Sequence, residues 1–72
     1  MLSRVRVQSS VIAALSYDAE ANTLDVEFMS GRIYRYWMVP IAVYEALLHA
    51  DSIGRYFNAQ IRDRYPSREI VS

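Results

Sequence analysis

The sequence has no cysteine and no lysine, and only one histidine, one tryptophan, two glycines and two prolines in 72 residues. Without cysteine there is no disulfide, no thiolate metal site and no sulfur nucleophile. The single histidine, His49, has no cysteine partner, and the scattered carboxylates lack ligand spacing, so neither a Cys-His pair nor a metal site is expected. Near the end of a helix, His49 reads as a favourable dipole partner. Gly31 and Gly54 are isolated, which excludes a phosphate-cradling loop. The formal net charge is zero, so the broad attraction that drives non-specific nucleic-acid binding is missing. No apolar run approaches the roughly 18 residues of a membrane-spanning helix. The start, "MLSRVRVQSS", lacks a signal-peptide core. The expectation is a soluble, cytoplasmic protein with no membrane partner.

What is present suits one small folded domain spanning residues 1–72. Apolar residues make up 53% of the chain, and six of its nine aromatic residues are tyrosine. A tyrosine brings apolar area and one polar handle, which fits a thin core with wet edges. Such a domain buries only roughly 60% of the surface its unfolded chain exposes. All eight basic residues are arginine, the side chain best shaped for bidentate phosphate contacts and stacking. They are unevenly spread. Residues 1–10 carry +2, residues 11–51 carry −4, and residues 52–72 carry +2.

"VIAALSY" (residues 11–17) is a short apolar run followed by the turn-rich "DAEANT", a strand entering a loop. "TLDVEF" (residues 23–28) alternates strictly, with Leu24, Val26 and Phe28 on one face and Asp25 and Glu27 on the other. Residues 32–38, rich in Ile, Tyr and Trp, form the third expected strand. The loop between the last two decides which aromatic residues face inward. A two-residue turn at Ser30-Gly31 would set Arg35 between Val26 and Trp37. A three-residue loop, Met29-Ser30-Gly31, pairs Phe28 with Arg32, Val26 with Tyr34 and Leu24 with Tyr36. Burial selects the second register, because a one-residue slip turns every side chain over. Tyr34 and Tyr36 then point into the core, while Asp25 faces Arg35 on the outer surface with Trp37 beyond.

Pro40 reads as the first residue of a helix, "PIAVYEALLHA", whose buried stripe is Val43, Tyr44, Leu47 and Leu48. Asp51-Ser52 offers N-cap oxygens to a second helix, "SIGRYFNAQIRDRY". Pro66 closes it, and residues 67–72 form a tail that drapes or pairs as a short strand. The expected fold class is α+β: a three-stranded antiparallel meander followed by two helices packed on one face, in the order β-β-β-α-α.

"VQSSVIAALSYD", "LDVEFMSGRIYRYWMVP" and "VYEALLHADSIGRYFNAQIRDRYP" together resemble the KTSC domain, over about residues 7–66. The most specific pieces are Tyr34-x-Tyr36, Val39-Pro40, Val43-Tyr44, and Ser52-x-Gly54 followed by Tyr56, Phe57 and Asn58. The family takes its name from the C-terminus of some lysyl-tRNA synthetases and also forms small stand-alone bacterial and phage proteins. Trp37 and Met38 stand where members often carry polar residues. The resemblance suggests RNA or tRNA as a partner, by association with the synthetase.

The residues themselves point to binding surfaces rather than to catalysis. Asp25 and Glu27, opposite Arg35, read as solvated ion pairs, not an acid/base dyad. No catalytic residue and no cofactor is expected. Arg55, Asn58 and Arg62 form one polar stripe at i, i+3 and i+7, and Arg64 and Tyr65 follow. Arginines interleaved with tyrosine and asparagine grip phosphates and stack on bases. This is the candidate RNA-binding surface; its bland counterpart is a solvated helix face. Ile33, Arg35 and Trp37 on the uncovered sheet face form the alternative, a protein-contact or self-association patch. Tyr34, Tyr36, Pro40 and Gly54 are assigned structural roles, Gly54 through close packing on the first helix or the sheet.

Overall fold

A computed structural model describes residues 3–70. Its elements are β1 (Ser3–Arg6), β2 (Ile12–Asp18), β3 (Thr23–Phe28), β4 (Ile33–Tyr36), α1 (Ile41–Leu48), α2 (Ile53–Gln60) and β5 (Ser67–Ile70). The fold is α+β, and the strands form one antiparallel sheet in the order β1-β2-β3-β4-β5. The sheet therefore has five strands, not three. β1 adds to one edge of the expected meander, and the chain returns from the helices to add β5 at the other. The expected tail is thus mostly strand; Val71 and Ser72 lie outside the described residues. No helix among the described residues is long and apolar enough to cross a membrane.

The central hairpin adopts the three-residue loop. Val26 lies opposite Tyr34, Asp25 opposite Arg35 and Leu24 opposite Tyr36. The Phe28 amide donates to the Arg32 carbonyl at 2.8 Å and the Gly31 amide donates to the Phe28 carbonyl at 2.9 Å. Gly31 makes this closure possible with φ +94°, which a side chain rarely tolerates. β4 is shorter than the expected 32–38 strand because Met38 turns the chain with φ +62°. The turn before β3 is set by Asp18, whose Oδ1 accepts from the Glu20 and Ala21 amides at 3.0 and 3.3 Å. This is a side-chain-stabilised turn of the kind aspartate favours.

One sheet face supplies Leu15, Tyr17, Leu24, Val26 and Tyr36 to the core, where they meet Val39, Leu47, Phe57 and Ile61. A bulge in β2 between Ile12 and Ala14 lets Ile12 reach the same core. Tyr17 locks the far end: its hydroxyl donates to the Val39 carbonyl at 2.6 Å, and its ring stacks on Tyr44 at 4.8 Å. Pro40 is the N-cap of α1, not its first helical residue. Its ψ of 149° is extended, and its carbonyl accepts from the Val43 and Tyr44 amides. Ser52 caps α2 as expected, its Oγ accepting from the Arg55 amide at 3.2 Å. α2 stops at Gln60, five residues short of the expected end. There the Ile61 and Arg62 amides both donate to the Phe57 carbonyl, and Ile61 turns inward, fully buried.

Candidate functional site

The helices leave part of the tyrosine face open. Between α2 and the β3–β4 hairpin lies a cavity of about 510 Å³. Val11, Phe28, Tyr34, Tyr36 and Phe57 form its apolar wall, and Asn58, Arg62, Asp63 and Ser67 its polar side. The rings brace one another edge to face: Phe28 meets Tyr34 at 5.8 Å and Phe57 at 5.6 Å, and Phe57 meets Tyr36 at 5.5 Å. Such pairs prefer these arrangements because a positive ring edge meets a negative ring face. The wall is therefore held in shape before any ligand arrives.

Tyr34 and Tyr36 share this wall but differ in depth. Tyr36 is 4% exposed, and burial pushes its phenol up from the ordinary value of 10.0, partly offset by Arg62 nearby and by a hydrogen bond with Ser67. It stays neutral and marks the floor. Tyr34 is half-buried: it packs against the core and also lines the cavity, at the boundary shared with a neighbouring depression.

Two shallower depressions adjoin the cavity. One, of about 420 Å³, shares Val11, Phe28 and Tyr34 with it and adds Ser10, Met29, Ser30 and Arg32. The other, of about 460 Å³, lies at the start of α2 and brings Ser9, Ser52, Gly54 and Arg55 beside Asn58. Gly54 packs on the β1–β2 connection rather than on α1 or the sheet core, the two partners expected for it. A Cβ there would stand 3.7 Å from Ser9 Oγ and 3.8 Å from Val11.

The expected basic stripe is divided by this geometry. Arg62 Nη1 donates to Asn58 Oδ1 at 3.5 Å, and both line the cavity. Arg55 lies in the adjoining depression. Arg64 is turned back onto α2, its Nε donating to the Ala59 carbonyl at 3.3 Å. Tyr65 is half-buried against the core. Phe28, Arg32 and Asp63 also line these spaces, though no motif in the sequence marks them. The hairpin register already placed Phe28 with the tyrosines opposite Arg32, and Asp63 follows Arg62 directly.

Among the described residues, no helix covers the opposite sheet face. One cross-strand row reads Arg4, Ser16, Asp25, Arg35 and Arg68, and the next reads Arg6, Ala14, Glu27, Ile33 and Ile70. Arg35 grips Asp25 with both arms, Nε to Oδ1 at 2.8 Å and Nη2 to Oδ2 at 2.9 Å. That hydrogen bond, with the charge of Asp25, raises the guanidinium pKa further. Arg4 pairs with Glu27. Ile33 and Arg35 thus share the outer face as expected. Trp37 is half-buried rather than exposed, and its amide donates to the Pro66 carbonyl at 2.9 Å.

Residues 8–65 match the KTSC domain. The chain belongs to the KTSC domain family. A KTSC domain protein of Yersinia pestis, known from a crystal structure, superposes with a TM-score of 0.95 at 30% identity, covering 99% of this chain and 100% of that one. An uncharacterised protein of Stutzerimonas stutzeri is 48% identical over 89% of this chain and 90% of its own length. A lysine–tRNA ligase of Nostoc punctiforme is 36% identical over 92% of this chain, which spans 12% of that enzyme. The pieces that carry the KTSC resemblance fall in two places. Tyr36, Val39, Tyr44 and Phe57 build the core, while Tyr34 and Asn58 line the cavity and Ser52 and Gly54 the depression beside it.

Proposed function

We propose that this KTSC domain is a non-catalytic module that binds single-stranded RNA in the groove between α2 and the β3–β4 hairpin. The observation that carries the reading is the braced aromatic wall with Tyr34 at its rim, opening beside Asn58 and Arg62. Unpaired bases stack on exposed aromatic rings, and every base has a face to offer. At about 510 Å³ the cavity exceeds the roughly 300 Å³ at which small-molecule sites begin. Arg32 and Arg55 line the two adjoining depressions, Asp51 also lining the second, and offer guanidinium groups to phosphates. Support also comes from the relatives named lysine–tRNA ligase, proteins whose name states action on tRNA. The uncovered sheet face suits RNA less well, because Arg4 and Arg35 are engaged by Glu27 and Asp25.

Titration against labelled single-stranded RNA and tRNA tests this directly. Binding that weakens in both Tyr34→Ala and Arg62→Ala is the expected result. RNA binding that survives both changes would move the site elsewhere. No binding of any RNA, together with a dimer that dissociates in Trp37→Ala, would favour the protein-contact reading of Ile33, Arg35 and Trp37.

A further inference from the structure

The cavity and the depression that carries Arg32 differ in one respect that matters for a nucleotide: of these two, the cavity alone is lined by a carboxylate. Asp63 lines it next to Arg62, whereas the depression that shares Val11, Phe28 and Tyr34 has Arg32 and serine hydroxyls and no acid. A carboxylate repels phosphate and seeks N–H donors. Resting on the groove reading above, we infer that the cavity takes a guanine base, with its phosphodiester lying over Arg32.

Chemistry selects the base. An ionised carboxylate is acceptor-only, and its two oxygens can take two parallel N–H bonds. Among the common RNA bases, only guanine offers two adjacent donors on one edge, N1–H and the N2 amine. Its next group along that edge, O6, is an acceptor and requires a donor beside the carboxylate. Arg62 lies four residues after Asn58, in the turn beyond α2, and precedes Asp63, and its Nη1 is steadied by the Asn58 amide oxygen at 3.5 Å. Arginine with guanine O6 and N7 is a recurrent specific pair. Adenine would set its N1 acceptor against the carboxylate, and uracil would set a carbonyl there. Tyr34 lies on the boundary of both spaces, so its ring is placed to cover the base while the backbone passes on to Arg32.

Short uridine oligomers carrying one central guanosine, inosine, adenosine or cytidine test the assignment by fluorescence anisotropy, with wild type and Asp63→Asn. Asp63 is exposed, so the variant is expected to fold; its thermal unfolding curve verifies this. The expected result is a guanosine preference of roughly ten- to hundredfold, the range of a good bidentate base contact. Inosine, which lacks the N2 amine, loses most of it. In Asp63→Asn the preference collapses while binding of plain oligouridine persists. Equal affinity for all four oligomers would overturn the guanine assignment and leave the groove reading standing. A preference untouched by inosine or by Asp63→Asn would overturn the role of the carboxylate. Binding of no oligomer at all would remove the groove reading, and the inference with it.

Discussion

At the scale of single residues, the two central tyrosines are two positions apart in one strand and serve different ends. Tyr36 is 4% exposed and meets Phe57 edge to face; truncating such a ring costs about 3–5 kcal/mol. A domain this small has little stability to lose, so Tyr36→Ala should be largely unfolded by circular dichroism. Tyr34→Ala should remain folded, with a much smaller drop in melting temperature, and should lose about 1–3 kcal/mol of RNA affinity, the worth of one stacked base. Tyr34→Phe keeps the ring and should keep the binding. Equal destabilisation by the two alanines would refute the division into floor and rim. The buried phenols also set an alkaline limit. Burial raises Tyr17, Tyr36 and Tyr44 above the ordinary value of 10.0, with Asp18 adding to the effect at Tyr17. A raised folded-state value favours the neutral phenol in the native protein. Its stabilisation is complete below pH 10 and is lost as the pH climbs through the folded values. Tyrosinate absorbance should therefore rise cooperatively with unfolding at alkaline pH. A native far-ultraviolet spectrum after full tyrosine ionisation would contradict this.

At the scale of elements, the parts that could be read from the residues are those in which local pattern and tertiary burial agree. β3 matches its period-two run at both ends, and the loop after Phe28 follows from Gly31 and from the need to keep Arg35 out of the core. A Cβ at Gly31 would have nothing within 4 Å, so the requirement for glycine there is purely conformational. Gly31→Ala should cost about 1–2 kcal/mol through backbone strain alone, seen as a lower melting temperature with unchanged RNA affinity. Gly54 should behave in the opposite way. Its Cβ would make only ordinary contacts with Ser9 and Val11, so Gly54→Ala should stabilise α2 by up to about 1 kcal/mol. Stabilisation accompanied by weaker RNA binding would mean that the ligand backbone approaches α2 there. The edge strands could not be read in the same way. "SRVR" and "SREI" are four residues each and carry charge in place of a continuous apolar pattern, as short edge strands do, so neither shows a run that stands out from a loop. Their pairing is decided by β2 and β4, not by any signal of their own. The end of α2 was likewise hidden, because Arg62 continues the polar spacing while Ile61 abandons the helix to reach the core.

At the scale of the whole molecule, neutrality and a phosphate-binding role are reconciled by where the charges sit. Of the basic residues near the chain ends, Arg4 and Arg6 lie on β1 and Arg68 on β5, the two edges of the sheet, while Arg55, Arg62 and Arg64 lie on α2 and the turn after it; the acidic middle supplies Asp25 and Glu27 to the centre of the sheet. Arg4 and Arg35 are thereby tied to acids on the uncovered face, and Arg64 is turned back onto the end of α2. On the groove side Arg32 and Arg55 flank the aromatic wall, with Arg62 within it beside Asp63. The number of phosphates neutralised should then be small, and the salt dependence of binding counts it. For single strands the slope of log K against log salt is about −0.7 for each phosphate contacted. Contacts by Arg32 and Arg55 alone predict a slope of about −1.4 by that relation. Arg32→Ala and Arg55→Ala should each make it shallower by about 0.7. Arg6→Ala and Arg68→Ala, on the far face, should leave it unchanged. A slope several times steeper, or one that responds to Arg6 and Arg68, would place the RNA across the open sheet and reverse the assignment of the two faces.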